Sequence, residues 1–205
     1  MSNSADAPSI PTLESFLRAE VTPRFQELVD TAEGKVAAAQ KELEDLRAAK
    51  GTMAWEIEGP SPTVRYVNII DGAMTVAAEG LEPPFMIVAQ SEADWARFTG
   101  GMAGLFGADN RRPFGRSRID RVRSLKGAVR FVLTGLPDGS SWSCTLYFGP
   151  PPRPTEPQTT VSLSADLVKQ IQSGQLNPQM AFMQGQLKMT GDAGLAMQLG
   201  MALFL

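Results

Sequence analysis

The chain of 205 residues contains no histidine, and that single absence removes several kinds of chemistry together. Histidine is the commonest general base near neutral pH, the usual activator of serine and cysteine nucleophiles, and the commonest zinc ligand. No other catalytic or metal-ligating constellation stands in its place, so the expected catalytic and metal residues are none, and no cofactor is implied. Cysteine is nearly as scarce. Cys144 is the only one, in the alternating run S-W-S-C-T-L-Y-F, which excludes an intrachain disulfide and suits a reducing compartment. Its thiol reads as a structural group on a strand, because nothing is present to activate it.

Long apolar runs are missing too. None reaches the roughly 18 residues that a membrane span needs. The opening MSNSADAPSIPT has neither a basic nor an apolar region, so it is expected to be a polar tail and not a signal peptide. A soluble, cytoplasmic protein is the expectation. Surplus positive charge is also lacking: the net charge is -3 and the pI about 5.1, which argues against a nucleic-acid partner.

What remains is 43% hydrophobic residues, enough for one domain with an appendage. Residues 12–50 are helical in pattern, with a break and restart expected at Thr22-Pro23. Beyond it Phe25, Leu28, Ala32, Val36, Ala39, Leu43 and Leu46 form a narrow apolar stripe. That stripe either seals one face of the folded domain or pairs with a second copy as a homodimer. After Gly51 the period shortens. Strands are expected at 53–58, 63–70, 73–78 and 85–90, with Asp71-Gly72 as a hairpin turn, and together they read as an antiparallel meander. Ser91 then caps a helix to about Phe98.

Seven of the nineteen Lys and Arg lie between Arg111 and Lys126. This stretch reads as a solvated loop with a short helix near 119–125, or as a contact for an anionic membrane. Strands at 127–134, 141–148 and 159–163 follow. The order of strands, proline-containing loop and capped helix occurs twice, with Asp94 and Asp166 72 residues apart, so two pseudo-repeated halves, 51–126 and 127–205, are one reading and coincidence the other.

The last quarter is the most informative. Ser164 can cap a helix bearing Leu167, Val168 and Ile171, and Asn177-Pro178 can start a short one bearing Met180 and Phe182. Gln186 to Thr190 alternates as a strand with Leu187 and Met189 inward. Gly191-Asp192 opens a final helix in which Gln198 is the only polar side chain. A helix apolar nearly all round must be covered on every side or face something apolar that is not protein.

The stretch S-G-Q-L-N-P-Q-M-A-F-M-Q-G-Q-L-K-M-T-G-D-A-G-L-A-M-Q-L, residues 173–199, resembles the signature end of the sterol carrier protein type 2 family. The likeness is clearest over 164–203 and extends by strand order back to about Leu125. It implies an α+β fold: a mostly antiparallel sheet of five or more strands covered by helices that enclose an apolar tunnel, here with an added N-terminal helical segment. Residues 1–11 are then a tail, 12–50 a helical extension and 51–205 a sterol-carrier-like domain. The implied activity is non-catalytic binding or transfer of sterols, fatty acids, acyl-CoAs or phospholipids. The implied tunnel lining is Phe182, Met183, Leu187, Leu195, Met197 and Leu199, with Gln184 placed to meet a ligand head group. Two alternatives stand beside it: an enzyme that isomerises or cyclises an apolar substrate in the same pocket, and a dimeric scaffold built on the N-terminal helix. For the enzyme, Asp94, Asp166 and Asp192 are the available carboxylates, each also explained as a helix-terminal group.

Overall fold

The computed structural model describes residues 12–100 and 114–204 and divides into two units, Met1–Glu44 and Asp45–Leu205. The first is helical. Thr12 accepts a hydrogen bond from the Ser15 N–H and so caps α1 (Leu13–Phe16), which runs through a π-helical turn (Leu17–Val21) into α2 (Thr22–Arg47). The expected break at Thr22-Pro23 is corrected: the chain stays helical, and Thr22 Oγ1 donates to the Leu17 carbonyl at 3.2 Å. A wider turn just ahead of Pro23 accommodates both proline's missing N–H and its clash with the carbonyl four residues back. Within this unit no residue of α2 is buried, and Phe25, Leu28, Val36 and Leu43 are exposed.

The second unit is built on one sheet of eight strands in the order β3-β2-β1-β4-β6-β5-β7-β8. The strands are β1 (Lys50–Glu58), β2 (Thr63–Ile70), β3 (Ala73–Ala77), β4 (Met86–Ser91), β5 (Gly127–Thr134), β6 (Trp142–Phe148), β7 (Thr159–Ser164) and β8 (Lys188–Gly191). The Asp71-Gly72 turn between β2 and β3 has φ of 49° and 76°, the pair of positive values that a two-residue type I′ turn requires. Five strand pairings are antiparallel, but β1 with β4 and β5 with β7 are parallel, so the sheet is mixed. The expected meander therefore ends at β3, and β4 crosses over to lie beside β1.

The two halves of the sheet repeat one arrangement. β1 takes its hairpin mate β2 on one side and β4 on the other; β5 takes β6 and β7 in the same way. Each parallel strand ends on a serine that caps the next helix: Ser91 accepts from the Asp94 N–H before α3 (Glu92–Thr99), and Ser164 from the Leu167 N–H before α5 (Ala165–Gln172). By these caps Asp94 corresponds to Leu167, one residue on from the pairing with Asp166 that the sequence suggested. The halves join where β4 pairs with β6.

The core lies on one face of the sheet, where Val88, Val129, Leu133, Leu146 and Val161 meet the helices. α4 (Arg116–Arg123) contributes Ile119 and Val122, both at 0% exposure. Its start has no cap of its own, since Gly115 has no side chain. Asp45, at the end of α2, supplies one from a distance: its carboxylate accepts from the Ser117 N–H at 3.0 Å and from the Ser117 hydroxyl at 2.5 Å. Those bonds hold the Asp45 carboxyl below the usual carboxylate range, with Arg121 and Arg116 adding to the effect.

Candidate functional site

In the last quarter the residues of the family-like motif act first as geometry. Asn177 accepts from the Gln179 N–H at 2.8 Å and so starts α6 (Pro178–Met183), with Pro178 in the first turn where its missing N–H costs nothing. α6 closes on Ala181, which is fully buried and whose carbonyl accepts from the N–H groups of both Gln186 and Leu187. Gly191 has φ of 90°, and a Cβ there would come within 2.0 Å of the Gln158 carbonyl oxygen. Only glycine fits. Asp192 accepts from the Leu195 N–H at 3.1 Å and opens α7 (Ala193–Phe204), while Thr159 Oγ1 donates to the Asp192 carbonyl at 2.7 Å.

α7 is divided by exposure into two faces. Leu195, Ala196, Leu199 and Ala202 are buried and belong to the core cluster; Met197 and Met201, four residues apart, are 65% and 50% exposed. α6 behaves similarly, with Met180, Phe182 and Met183 all exposed around the buried Ala181. The helix that the sequence showed as apolar nearly all round is thus covered on one side only. Single exposed apolar residues need no explanation, but two neighbouring helical segments that leave methionine and phenylalanine outward form an adaptable apolar surface.

Of the expected lining residues, the structure brings together Leu195 and Leu199, with Leu187 packed against the same core. Phe182, Met183, Gln184 and Met197 are exposed instead and do not line an enclosed space with them. The physical reason is helical period: Leu195 and Leu199 share the buried stripe, and Met197 falls on the opposite side. Gln184 accepts from Gln186 Nε2 at 3.0 Å at the surface. A concave pocket of about 320 Å³ lies in the other half of the sheet, lined by Lys50, Gly51, Thr52, Ile69, Ile70, Leu81 and Glu82. Composition gave no signal for it, because its lining is ordinary strand and loop sequence.

Burial, with Asp94 nearby, pushes the Cys144 thiol up to about 12, so it stays protonated and inert at neutral pH. Asp94 itself accepts from the Ser91 hydroxyl at 2.9 Å and from Ser143 at 3.2 Å, and lies 3.6 Å from Arg97. The basic stretch is partly engaged by acids: Arg123 meets Glu82 at 2.7 Å and Asp120 at 3.3 Å, and Arg116 meets Asp120 at 3.7 Å. Arg111 and Arg112 fall outside the described residues. Among the described residues no helix is long and apolar enough to cross a membrane, and no three potential metal ligands cluster.

Residues 114–204, which hold α4, β5 to β8 and α5 to α7, match the SCP-2 sterol transfer family. The resemblance seen at 173–199 thus reaches back to Phe114. Among particular proteins, the chain is similar to hydroxysteroid dehydrogenase-like protein 2 of Xenopus laevis, 36% identical over 86 residues, 39% of this chain and 20% of that protein. The chain therefore spans about a fifth of the length of that relative. Among solved structures, sterol carrier protein domain 2 of Helicoverpa armigera aligns over 53% of this chain and 77% of its own, at 24% identity and a TM-score of 0.31. Sterol carrier protein 2 of Yarrowia lipolytica, apo form, aligns over 49% and 80%, at 22% and 0.32. Sterol carrier protein 2 like 2 of Aedes aegypti aligns over 56% and 94%, at 21% and 0.31.

Proposed function

We propose that the chain binds or transfers lipids or similar hydrophobic small molecules, without transforming them, through an apolar space between the sheet and helices α5 to α7. The match of residues 114–204 to a sterol transfer family carries the reading. The exposed methionines and Phe182 support a specific route. A ligand entering beside α6 would cover Met180, Phe182 and Met183, which now face water, each buried methylene contributing about 0.8 kcal/mol. Leu187, Leu195 and Leu199 are then the lining of the site, and Phe182, Met183 and Gln184 on and just after α6 stand at its mouth, while Met197 lies on the far side of α7.

The test is uptake of a fluorescent fatty acid by delipidated protein, together with transfer between vesicles. Met183→Glu is expected to weaken uptake without unfolding the chain, because Met183 is 74% exposed. Failure to take up any of a fatty acid, a sterol, an acyl-CoA and a phospholipid would end the proposal. Vesicles with and without anionic lipid, compared in the same assay, test the basic stretch as a membrane contact. The enzyme reading is weaker, since Asp94 and Asp192 are both engaged at helix starts. A second reading concerns assembly: the apolar stripe of α2 from Phe25 to Leu46 suits a homodimer, and native mass spectrometry reports oligomeric state and bound lipid together.

A further inference from the structure

Four polar side chains are buried in the described residues, and three of them are bonded. Thr52 Oγ1 donates to Asn68 Oδ1 at 2.8 Å, Asn68 Nδ2 donates to the Glu79 carbonyl at 3.2 Å, and Thr159 donates to the Asp192 carbonyl. Gln90 is the exception. It is 3% exposed, and neither its Nε2 nor its Oε1 has a hydrogen-bond partner among the described residues. A buried amide left this way costs about 1–3 kcal/mol for each unmet group, so such groups are rare without a purpose.

The repeat shows that the fold itself does not require an amide at this place. With the capping serines Ser91 and Ser164 equated, Gln90 on β4 corresponds to Leu163 on β7. Trp55, opposite Val88, corresponds to Phe131, opposite Val161. Trp95 and Phe98 on α3 correspond to Val168 and Ile171 on α5. At each of these positions the first half carries the larger or more polar group. Register sets the direction. Val88 pairs with Trp55 and with Leu146, and Gln90 lies two residues on from Val88, so its side chain is on the same face of the sheet. That face is the one α3 covers: Trp55 lies 6.0 Å from both Trp95 and Phe98, and Phe98 lies 6.0 Å from Trp142, centroid to centroid. The indole N–H of Trp55 is also buried with no partner among the described residues. Trp95 is 38% exposed, so the cluster reaches the surface at that ring.

We propose that the α3-covered face of β1, β4 and β6 is a second binding site, distinct from the C-terminal one, for an apolar molecule with an uncharged end that both donates and accepts hydrogen bonds, such as a hydroxyl or carboxamide. The aromatic rings supply apolar surface, with Trp55 set edge-on to Trp95 at 67°. The carboxamide of Gln90 offers a donor and an acceptor side by side, and Trp55 Nε1 adds a donor. A carboxylate is disfavoured because it can only accept, leaving Gln90 Oε1 unmet.

The test uses the full chain and two probes, 1-dodecanol and 1-methoxydodecane, which differ in the ability to donate. The wild-type protein is expected to bind the alcohol about tenfold tighter or more, followed by tryptophan fluorescence, and the Gln90 side-chain amide resonances should move on addition of the alcohol. Gln90→Leu, which installs the residue of the equivalent position, should melt no lower than wild type and should bind both probes alike. Trp55→Phe keeps the ring, removes the N–H, and should lose part of the preference. Met183→Glu should leave the alcohol preference intact, which separates this site from the C-terminal reading. The proposal is overturned if Gln90→Leu lowers the melting temperature, which would reveal a structural partner. Unmoved Gln90 resonances, or a preference that survives Gln90→Leu, would overturn it equally, and would leave a trapped water as the amide's partner.

Discussion

The two halves of the sheet share a pattern of pairings yet use it differently. In the second half Leu163, Val168 and Phe131 fill the positions under the capped helix with aliphatic and phenyl groups, and the outward methionines lie further along, on α6 and α7. In the first half the same positions hold an amide and two indoles, and the helix after them is followed by residues of a different character, glycine-rich and then basic. The lesson is that a repeated backbone frame sets where side chains point, whereas the side chains alone decide what that place can hold.

Substitutions can break this comparison at several strengths. The largest effect is expected at Leu199, which is 2% exposed in the core: Leu199→Ala should cost about 2–5 kcal/mol, read by urea denaturation. Met197→Ala on the opposite side of the same helix should change stability by less than about 0.5 kcal/mol, and a comparable loss at both would erase the two-faced reading of α7. Between them lies Asp45→Ala, which removes the distant cap of α4 and should cost about 1 kcal/mol. Its pH dependence has a definite sign. The folded carboxyl is held below the ordinary aspartate value of 3.8, so the stabilisation is present above that value and is lost as pH falls through the lower, folded one. The gap between wild type and Asp45→Ala in thermal melting should therefore close below about pH 4. The smallest effect is expected at Arg18, whose fully surface pairing with Glu14 should be worth only a few tenths of a kcal/mol, so Arg18→Ala should be near neutral.

Much of this arrangement is legible in the sequence. Ser91, Ser164, Asn177-Pro178 and Asp71-Gly72 announce helix starts and a turn because each acts over two or three residues. Asp192 does the same, once Gly191 permits the close approach behind it. What could not be seen depends on distant partners. Nothing local in β4 or β7 reveals that they join β1 and β5 in parallel, and nothing near Gly115 reveals that Asp45 caps α4. The π turn ahead of Pro23 was missed because a Thr-Pro pair fits a new helix start equally well. The outward position of Met197 was missed because an all-apolar helix carries no periodic contrast from which to choose a face. Gln90 looks in sequence like any strand glutamine; only the bonds made by Thr52 and Asn68 show that it is different.

The pairing of β4 with β6 has a consequence for any attempt to isolate the family-like segment. A fragment starting near residue 114 would keep β5 to β8 but strip β6 of its neighbour, leaving unpaired N–H and C=O groups beside the apolar Leu146 and Phe148. Natural sheets blunt such edges with charge, proline or short strands, and β6 has none of these along its length. The excised segment is thus expected to stick to itself edge to edge, and the first half of the chain serves it as a built-in guard against aggregation.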